Sequence, residues 1–257
     1  MIRGLYTSSS SMLKAQKKMD IISNNLANAS TTGFKKDLAV SQTFPEMLTK
    51  RINDLKNGQP SDTNIGNMSL GSDVVQVFTD YTQGRLIRTD NPTDISFKNS
   101  NTAFFAVSVP QENGNEEMYT RDGSWTIDEA GYLVTKDGYQ VLGENGPIYL
   151  ASDNFSIQED GNIYINNEYI DRLRIRDFTD TSVLQKYGNN LVQAPEDAQV
   201  QPFNGQIVQG FIESSNINTV QEMVEMINVI RSYEANQKII KGYDDTLDKV
   251  INQVGRT

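Results

Sequence analysis

Apolar positions recur every seven residues at both ends of the chain, and the period shortens to two through much of the middle. Near the N-terminus Leu5, Met12, Met19 and Leu26 form one row, with Ser8, Ala15, Ile22 and Ala29 interleaved at the three/four spacing. Toward the C-terminus Met226, Tyr233, Ile240, Leu247 and Val254 form a row beside Met223, Ile230, Gln237, Asp244 and Ile251. Stripes this narrow predict helices whose seam needs another helix. The first should run from about Ile2 to about Asn28, with Thr31-Thr32-Gly33 as its stop and Gly33 suited to a left-handed conformation. Gly4, the run Thr7–Ser11 and Asn24-Asn25 give it poor intrinsic propensity, so alone in water it should be mostly unfolded. The second should open at Thr219 with a capping box, Thr219 and Glu222 each reaching the other's exposed amide. Run to about Asn252, it would span about 50 Å.

Between the helices, Val75–Phe78 and Phe104–Val109 read as strands rich in branched and aromatic residues. Asp122-Gly123, Ala130-Gly131, Asp137-Gly138 and Asp160-Gly161 punctuate further short runs and predict hairpin turns. Leu173–Phe178 alternates in character and predicts another strand. Residues 41–70 are polar and read as a connector, with a short amphipathic turn around Met47–Leu55 followed by a loop. Residues 193–206 read as a second polar connector. The expected divisions are 1–40 and 209–257 as two halves of a helical assembly domain, 41–70 as connector and 71–208 as a β-rich outer domain.

Composition narrows the chemistry. Among 257 residues there is no cysteine and no histidine, which removes disulfides, zinc–thiolate sites, the commonest general base and the usual catalytic triads. Mean hydropathy is −0.51, low for a single globule. No apolar run reaches the ~20 residues of a membrane span, and the N-terminus lacks the apolar region of a secretory signal peptide. The net charge of −10 is uneven: residues 1–36 carry +5 and residues 37–218 carry −14. An acidic body argues against nucleic acid. The basic first segment suggests an anionic membrane surface only weakly, because its apolar row is narrow, is broken by Ser8 and has Tyr6 as its interfacial aromatic.

Bland readings account for most candidate motifs. The Asp-Gly sites lack the twelve-residue loop of a calcium site and are explained as turns. Carboxylate pairs of the kind a glycosidase uses arise by chance among 26 acids in residues 37–218. Trp125, the single tryptophan, falls on a predicted strand where core packing is the default. Gln237 and Asp244 interrupt the C-terminal rows; either they face solvent as the stripe drifts around the helix, or they set register and partner number.

One run is more specific. Asn24-Asn25-Leu26-Ala27-Asn28 followed by Thr32-Gly33-Phe34-Lys35 resembles the N-terminal motif of the bacterial flagellar rod and hook family of axial proteins. Gln209-Gly210, Glu213–Asn218, Glu222-Met223-Val224, Met226-Ile227 and Arg231–Asn236 resemble that family's C-terminal motif. Tyr119–Gly123 and Asp128–Val134 resemble its β domain. The resemblance implies a structural subunit with no catalytic residue, metal or cofactor. It implies export, unfolded and without a cleaved signal, through the flagellar type III apparatus, then stacking of copies into a helical tube. Partners would be further copies and other rod and hook subunits, with neither nucleic acid nor membrane insertion. Length favours a rod protein, and residues 41–70 sit where the distal-rod protein has an extra segment.

The expected fold is therefore α+β: an antiparallel all-β central domain flanked by long N- and C-terminal helices that pair as a coiled-coil assembly domain. The expected assembly residues are Asn24, Asn25, Leu26, Ala27, Asn28, Thr32, Gly33 and Phe34. The expected seam comprises Leu5, Met12, Met19, Ile22, Met226, Ile230, Tyr233, Gln237, Ile240, Leu247, Ile251 and Val254, with Thr219 and Glu222 as cap. The expected function is a rod subunit building the drive-shaft tube that transmits torque and conducts exported subunits. A proximal-rod or short hook-type subunit is the nearest alternative; a secreted cell-wall hydrolase or glycan-binding module is the alternative from another class.

Overall fold

The computed structural model describes residues 2–56, 59–111, 114–150, 155–188 and 190–254. The chain divides into two compact units: Met1–Asn24, Asp37–Phe78 and Thr219–Thr257 form one, and Asn25–Lys36 with Thr79–Asn218 form the other.

In the first unit helix α1 (Ile2–Ala27) forms in spite of the run Thr7–Ser11, two of whose hydroxyls find partners outside the helix. Ser10 Oγ donates to the Ser72 carbonyl at 2.8 Å and accepts from the Ser72 amide at 3.1 Å. Thr7 Oγ1 donates to Leu70 O at 3.2 Å, and Lys17 pairs with Asp73 at 2.8 Å. These bonds to residues 70–73 offset the weak propensity of the run. Strand β1 (Asp37–Thr43) pairs with β4 (Ser72–Thr79), and between them β2 (Met47–Lys56) and β3 (Gln59–Met68) make an antiparallel hairpin. Residues 41–70, expected to be a polar connector with a short amphipathic turn and a loop, are thus largely extended. Met47, Leu48 and Ile65 are each more than half exposed. Apolar residues left in solvent give no alternation of buried and exposed positions to read.

Helix α2 (Thr219–Lys249) has 31 residues and continues into a π-helical turn at Val250–Val254. The coiled-coil pairing expected of α1 and α2 is not what the chain forms. Ala15, Ile22 and Val229 are buried together, with Met19, Met226 and Tyr233 half-buried against them. Beside this short patch a groove of about 600 Å³ opens, lined from Ser11 to Lys18 and from Gln221 to Asn236. Leu13, Met223, Ile227, Ile230, Ile239 and Ile251 are exposed. A coiled coil would bury successive knobs along its whole length; α2 buries only Glu222 and Val229.

The second unit is built on antiparallel β-sheets. Its strands are β5 (Leu86–Arg88), β6 (Ile95–Lys98), β7 (Ala103–Gln111), β8 (Gly114–Thr120), β9 (Trp125–Ile127), β10 (Leu133–Thr135), β11 (Gln140–Gly143) and β12 (Gly146–Pro147). They continue as β13 (Phe155–Ile157), β14 (Asn162–Ile165), β15 (Glu168–Arg172), β16 (Ile175–Phe178), β17 (Gln185–Tyr187), β18 (Leu191–Gln193), β19 (Val200–Gln201), β20 (Gln206–Gln209) and β21 (Phe211–Glu213). The main sheet runs β17-β18-β8-β7-β11-β10-β9, with β16 also on β7. β13, β14 and β15 form a second sheet, while β20 pairs with β6 and β21 with β5.

Strand β7 is central. Phe105, Val107 and Val109 face one cluster with Phe97, Met118, Trp125 and Ile163; Phe104 faces another with Tyr81, Phe178, Leu184 and Val192. Burial on both faces explains the unbroken apolar run Phe104–Val107. Phe97 stacks on Phe105 at 4.0 Å, and Trp125 meets Phe105 edge-on at 4.8 Å. The turns at Ala130-Gly131, Asp137-Gly138 and Asp160-Gly161 do connect paired strands. Asp122-Gly123 does not. There the Ile95 amide donates to Gly123 O at 2.9 Å, and a Cβ on Gly123 would lie 1.6 Å from Ile95 O. That glycine allows a loop to press against β6.

Candidate functional site

Three charged side chains from distant parts of the sequence meet in the interior of the second unit. Lys35, Arg121 and Glu213 are each at most 3% exposed. Glu213 stands at the end of β21, Arg121 just after β8, and Lys35 in the segment that follows α1. The Lys35 ammonium donates to Glu213 Oε1 and to Thr82 O at 2.7 Å. Arg121 Nη2 donates to Glu213 Oε2 at 2.9 Å and to Ser100 O at 2.9 Å, and Nη1 donates to Ala103 O at 2.7 Å. The Gly84 amide adds a bond to Glu213 Oε1 at 2.8 Å. The guanidinium also lies over the rings of Phe97 and Phe104, at 5.2 and 5.8 Å.

Two cations thus share one carboxylate. Burial lowers the Lys35 ammonium to about 8, the positive charge of Arg121 reinforces the shift, and Glu213 opposes it. Burial likewise lowers the Arg121 pKa, against the opposing pull of Glu213. Desolvation outweighs attraction for both cations, as expected where charges leave water. Such a cluster specifies which segments must be present together more than it adds stability.

The backbone around it ties the same segments. Gly33, at φ +70°, donates its amide to Glu213 O at 2.8 Å. A Cβ there would approach the Asp122 amide to 2.5 Å. Thr32 Oγ1 and Ser124 Oγ share a hydrogen bond at 3.1 Å. Phe34 is buried beneath the Lys186 ammonium, 4.4 Å from its ring, and Lys186 donates to Lys35 O at 2.8 Å. Asn216 Oδ1 accepts from the Lys36 amide at 2.9 Å, and its Nδ2 donates to Asp80 O at 2.8 Å.

The other expected residues are more dispersed. Asn24 and Ala27 are exposed, Asn25 is buried, and Leu26 and Asn28 are half-buried. Leu5, Met12 and Met19 are half-buried on α1, beside buried Ser8, Ala15 and Ile22. On α2 the inward positions are Glu222, Met226, Val229, Tyr233, Asn236, Ile240, Tyr243 and Leu247. Ile230, Gln237, Asp244 and Ile251 face outward, and Thr219, the first helical residue, is exposed. The side chain of Val254 lies outside the described ones.

Lys35, Arg121 and Glu213 were not among the expected site residues. A signal existed: Glu213 is the one charged residue between Asp197 and Glu222. Nothing in the linear pattern joins it to Lys35, 178 positions away.

Each member of the cluster falls in a segment matched by a different family model. These are "Flagella basal body rod protein" over residues 5–35, "Flagellar hook protein FlgE/F/G D1 domain" over 100–165 and "Flagellar basal body rod FlgEFG protein C-terminal" over 208–254. The flagellar hook-basal body complex protein FlhO of Bacillus subtilis (strain 168) is 32% identical over 270 residues, covering 100% of both chains. The flagellar basal-body rod protein FlgG of Buchnera aphidicola subsp. Acyrthosiphon pisum is 34% identical over 267 residues, covering 97% of this chain and 99% of that one. The flagellar basal-body rod protein FlgF of Rhizobium meliloti is 30% identical over 257 residues, covering 98% of each.

Proposed function

The chain belongs to the flagellar basal-body rod protein family and is a structural subunit of the rod; from that premise we propose that its copies stack helically into a tube that transmits torque and lets exported subunits through. The observation that carries this reading is the unpartnered apolar surface of α2. Met223, Val224, Ile227, Ile230 and Ile239 are each at least 39% exposed. A long helix draws most of its stability from packing, so a helix left this bare is built to be covered by neighbouring copies. In this reading the outward Ile230, Gln237 and Ile251 meet other subunits, while Met19 and Met226 hold α1 and α2 within one.

The same reading has the chain exported unfolded by the flagellar type III apparatus without a cleaved signal. The weak propensity of α1, which depends on residues 70–73 for its polar partners, supports this. A place in the distal rod is the preferred finer identity, with a proximal-rod or short hook-type subunit as its alternative.

Purified chain should form sedimentable polymer, visible by electron microscopy, and should release no product from peptidoglycan. Met19→Asp with Ile240→Asp should abolish polymer while the Trp125 emission of the second unit stays native. A chain that hydrolyses peptidoglycan, or a double variant that polymerises normally, would refute the assignment. Basal bodies imaged from a deletion strain would locate the segment, since the rod should stop where this subunit begins.

A further inference from the structure

Within residues 79–218 nine Lys/Arg stand against twenty-one Asp/Glu, and three of the nine are Arg172, Arg174 and Arg176. Leu173 is buried and Ile175 packs on the core, so the alternating arginines share the opposite, outward side of this run. They form one wall of a groove of about 550 Å³, which Glu144 and residues Val200 to Phe203 complete. Phe203 is braced edge-on against Phe97 at 5.5 Å, giving the groove a firm apolar side.

The guanidinium groups are positioned but not consumed. Arg172 Nε donates to Asp160 O at 3.1 Å, and its Nη1 lies 3.7 Å from Glu144 Oε1. Arg174 donates to Glu117 Oε2 at 2.9 Å and to Glu144 O at 3.1 Å; Arg176 Nε lies 3.7 Å from Glu117 Oε1. These contacts use a minority of the five N–H donors on each guanidinium, and three cations are paired to two carboxylates. Side-chain exposures of 44%, 29% and 42% leave all three open to a ligand.

We propose that this arginine strip is a docking site for a carboxylate-rich segment of a neighbouring copy of the chain. Planar guanidinium groups grip carboxylates through two parallel hydrogen bonds. Alternate positions on an extended run lie about 6.6 Å apart, so the three groups can take successive acidic side chains. The occupant follows from charge. Identical bodies with so large an acidic excess repel one another on stacking; a concentrated basic strip on each turns one such contact into attraction and fixes its register. A basic strip cannot pair with its own copy and must meet a different, acidic surface, so the contact is head-to-tail and propagates. The inference rests on the reading that copies stack.

A labelled oligoglutamate peptide titrated into the full-length monomer, followed by anisotropy, tests the chemistry. The wild type should bind it, more weakly as salt shortens the screening length from about 30 to 8 Å. Arg172→Gln with Arg176→Gln keeps the Arg174–Glu117 pair and should weaken binding about tenfold or more with Trp125 emission unchanged. Arg172→Lys with Arg176→Lys should retain part of it. Failure of the wild type to bind, undiminished binding by the glutamine variant, or preference for polyphosphate would each overturn the proposal. In the polymer assay the glutamine variant should assemble less well than wild type at low salt. If it assembles equally, the strip has no such role and the rod reading stands. If wild type forms no polymer, the stacking reading falls and the peptide titration decides the strip by itself.

Discussion

Replacing Glu213 with glutamine removes the carboxylate that both buried cations hydrogen-bond. The wild-type side chain accepts from Lys35, from the Gly84 amide at 2.8 Å and from Arg121 at 2.9 Å. A glutamine offers one oxygen and one NH₂ group, so the NH₂ must point at a donor. Hydrogen bonds to charged groups contribute about 1.5–3 kcal/mol each, and removing one partner of a buried ion pair costs about 3–5 kcal/mol. The larger figure is a major part of the about 5–15 kcal/mol that holds a domain folded. For a unit of this size it corresponds to a loss of about 6–20 °C in Tm. Lys35→Met is the control. It removes the surplus cation, leaves Arg121 and Glu213 paired one to one, and should cost under about 2 kcal/mol. Combining the two should cost less than their sum by about 0.5–3 kcal/mol, since the residues share one network. Trp125, 1% exposed in the core of the same unit, reports the transition in urea through its emission. If Glu213→Gln stays within about 1 kcal/mol of wild type, or Lys35→Met proves the more costly, Glu213 does not offset the two buried cations.

Three further outcomes follow from the same geometry. Lys35 titrates near 8 in the folded unit and at 10.5 when unfolded, so between those values the folded state binds fewer protons. Its unfavourable contribution, complete below pH 8, is relieved as pH rises through that window; urea midpoints of wild type measured relative to Lys35→Met should therefore climb from pH 8 to 10. Gly33→Ala places a Cβ 2.5 Å from the Asp122 amide at a φ of +70° and should cost about 1–3 kcal/mol, a figure that equal Tm values for variant and wild type would exclude. Phe105→Ala removes a ring with no exposed surface that is stacked on Phe97 and met edge-on by Trp125; calorimetry should show a loss of about 3–5 kcal/mol, and a loss under 1 would mean that the site collapses around the gap.

The β unit was readable wherever burial is one-sided or complete. Phe104–Val109 announces a strand buried on both faces, and the turns at Gly131, Gly138 and Gly161 follow from the need for a left-handed residue there. Asp122-Gly123 carries the same letters for another reason, close approach to β6, and local sequence cannot separate the two causes. The hairpin of β2 and β3 was missed because Met47, Leu48 and Ile65, apolar residues on it, are exposed. The charge cluster escaped because its meaning lies in the meeting of three segments that no short-range period connects.

The helices show where a pattern stops determining a structure. On α2 the inward positions 222, 226, 229, 233, 236, 240, 243 and 247 keep a three/four spacing, yet they include Glu222 and Asn236. The row Met223, Ile230, Gln237, Asp244 and Ile251 shares the heptad period and is apolar toward its two ends, but it faces outward. One helix therefore carries two adjacent seams, and a single chain can satisfy only one of them. Hydrophobic periodicity reports that a face will be covered, not by which chain. If the outward row is covered only by a second copy, Ile230→Asp should leave the monomer's thermal transition within about 0.5 kcal/mol of wild type and still abolish polymer. A monomer destabilised as strongly as by a core substitution would place that row inside the chain's own fold.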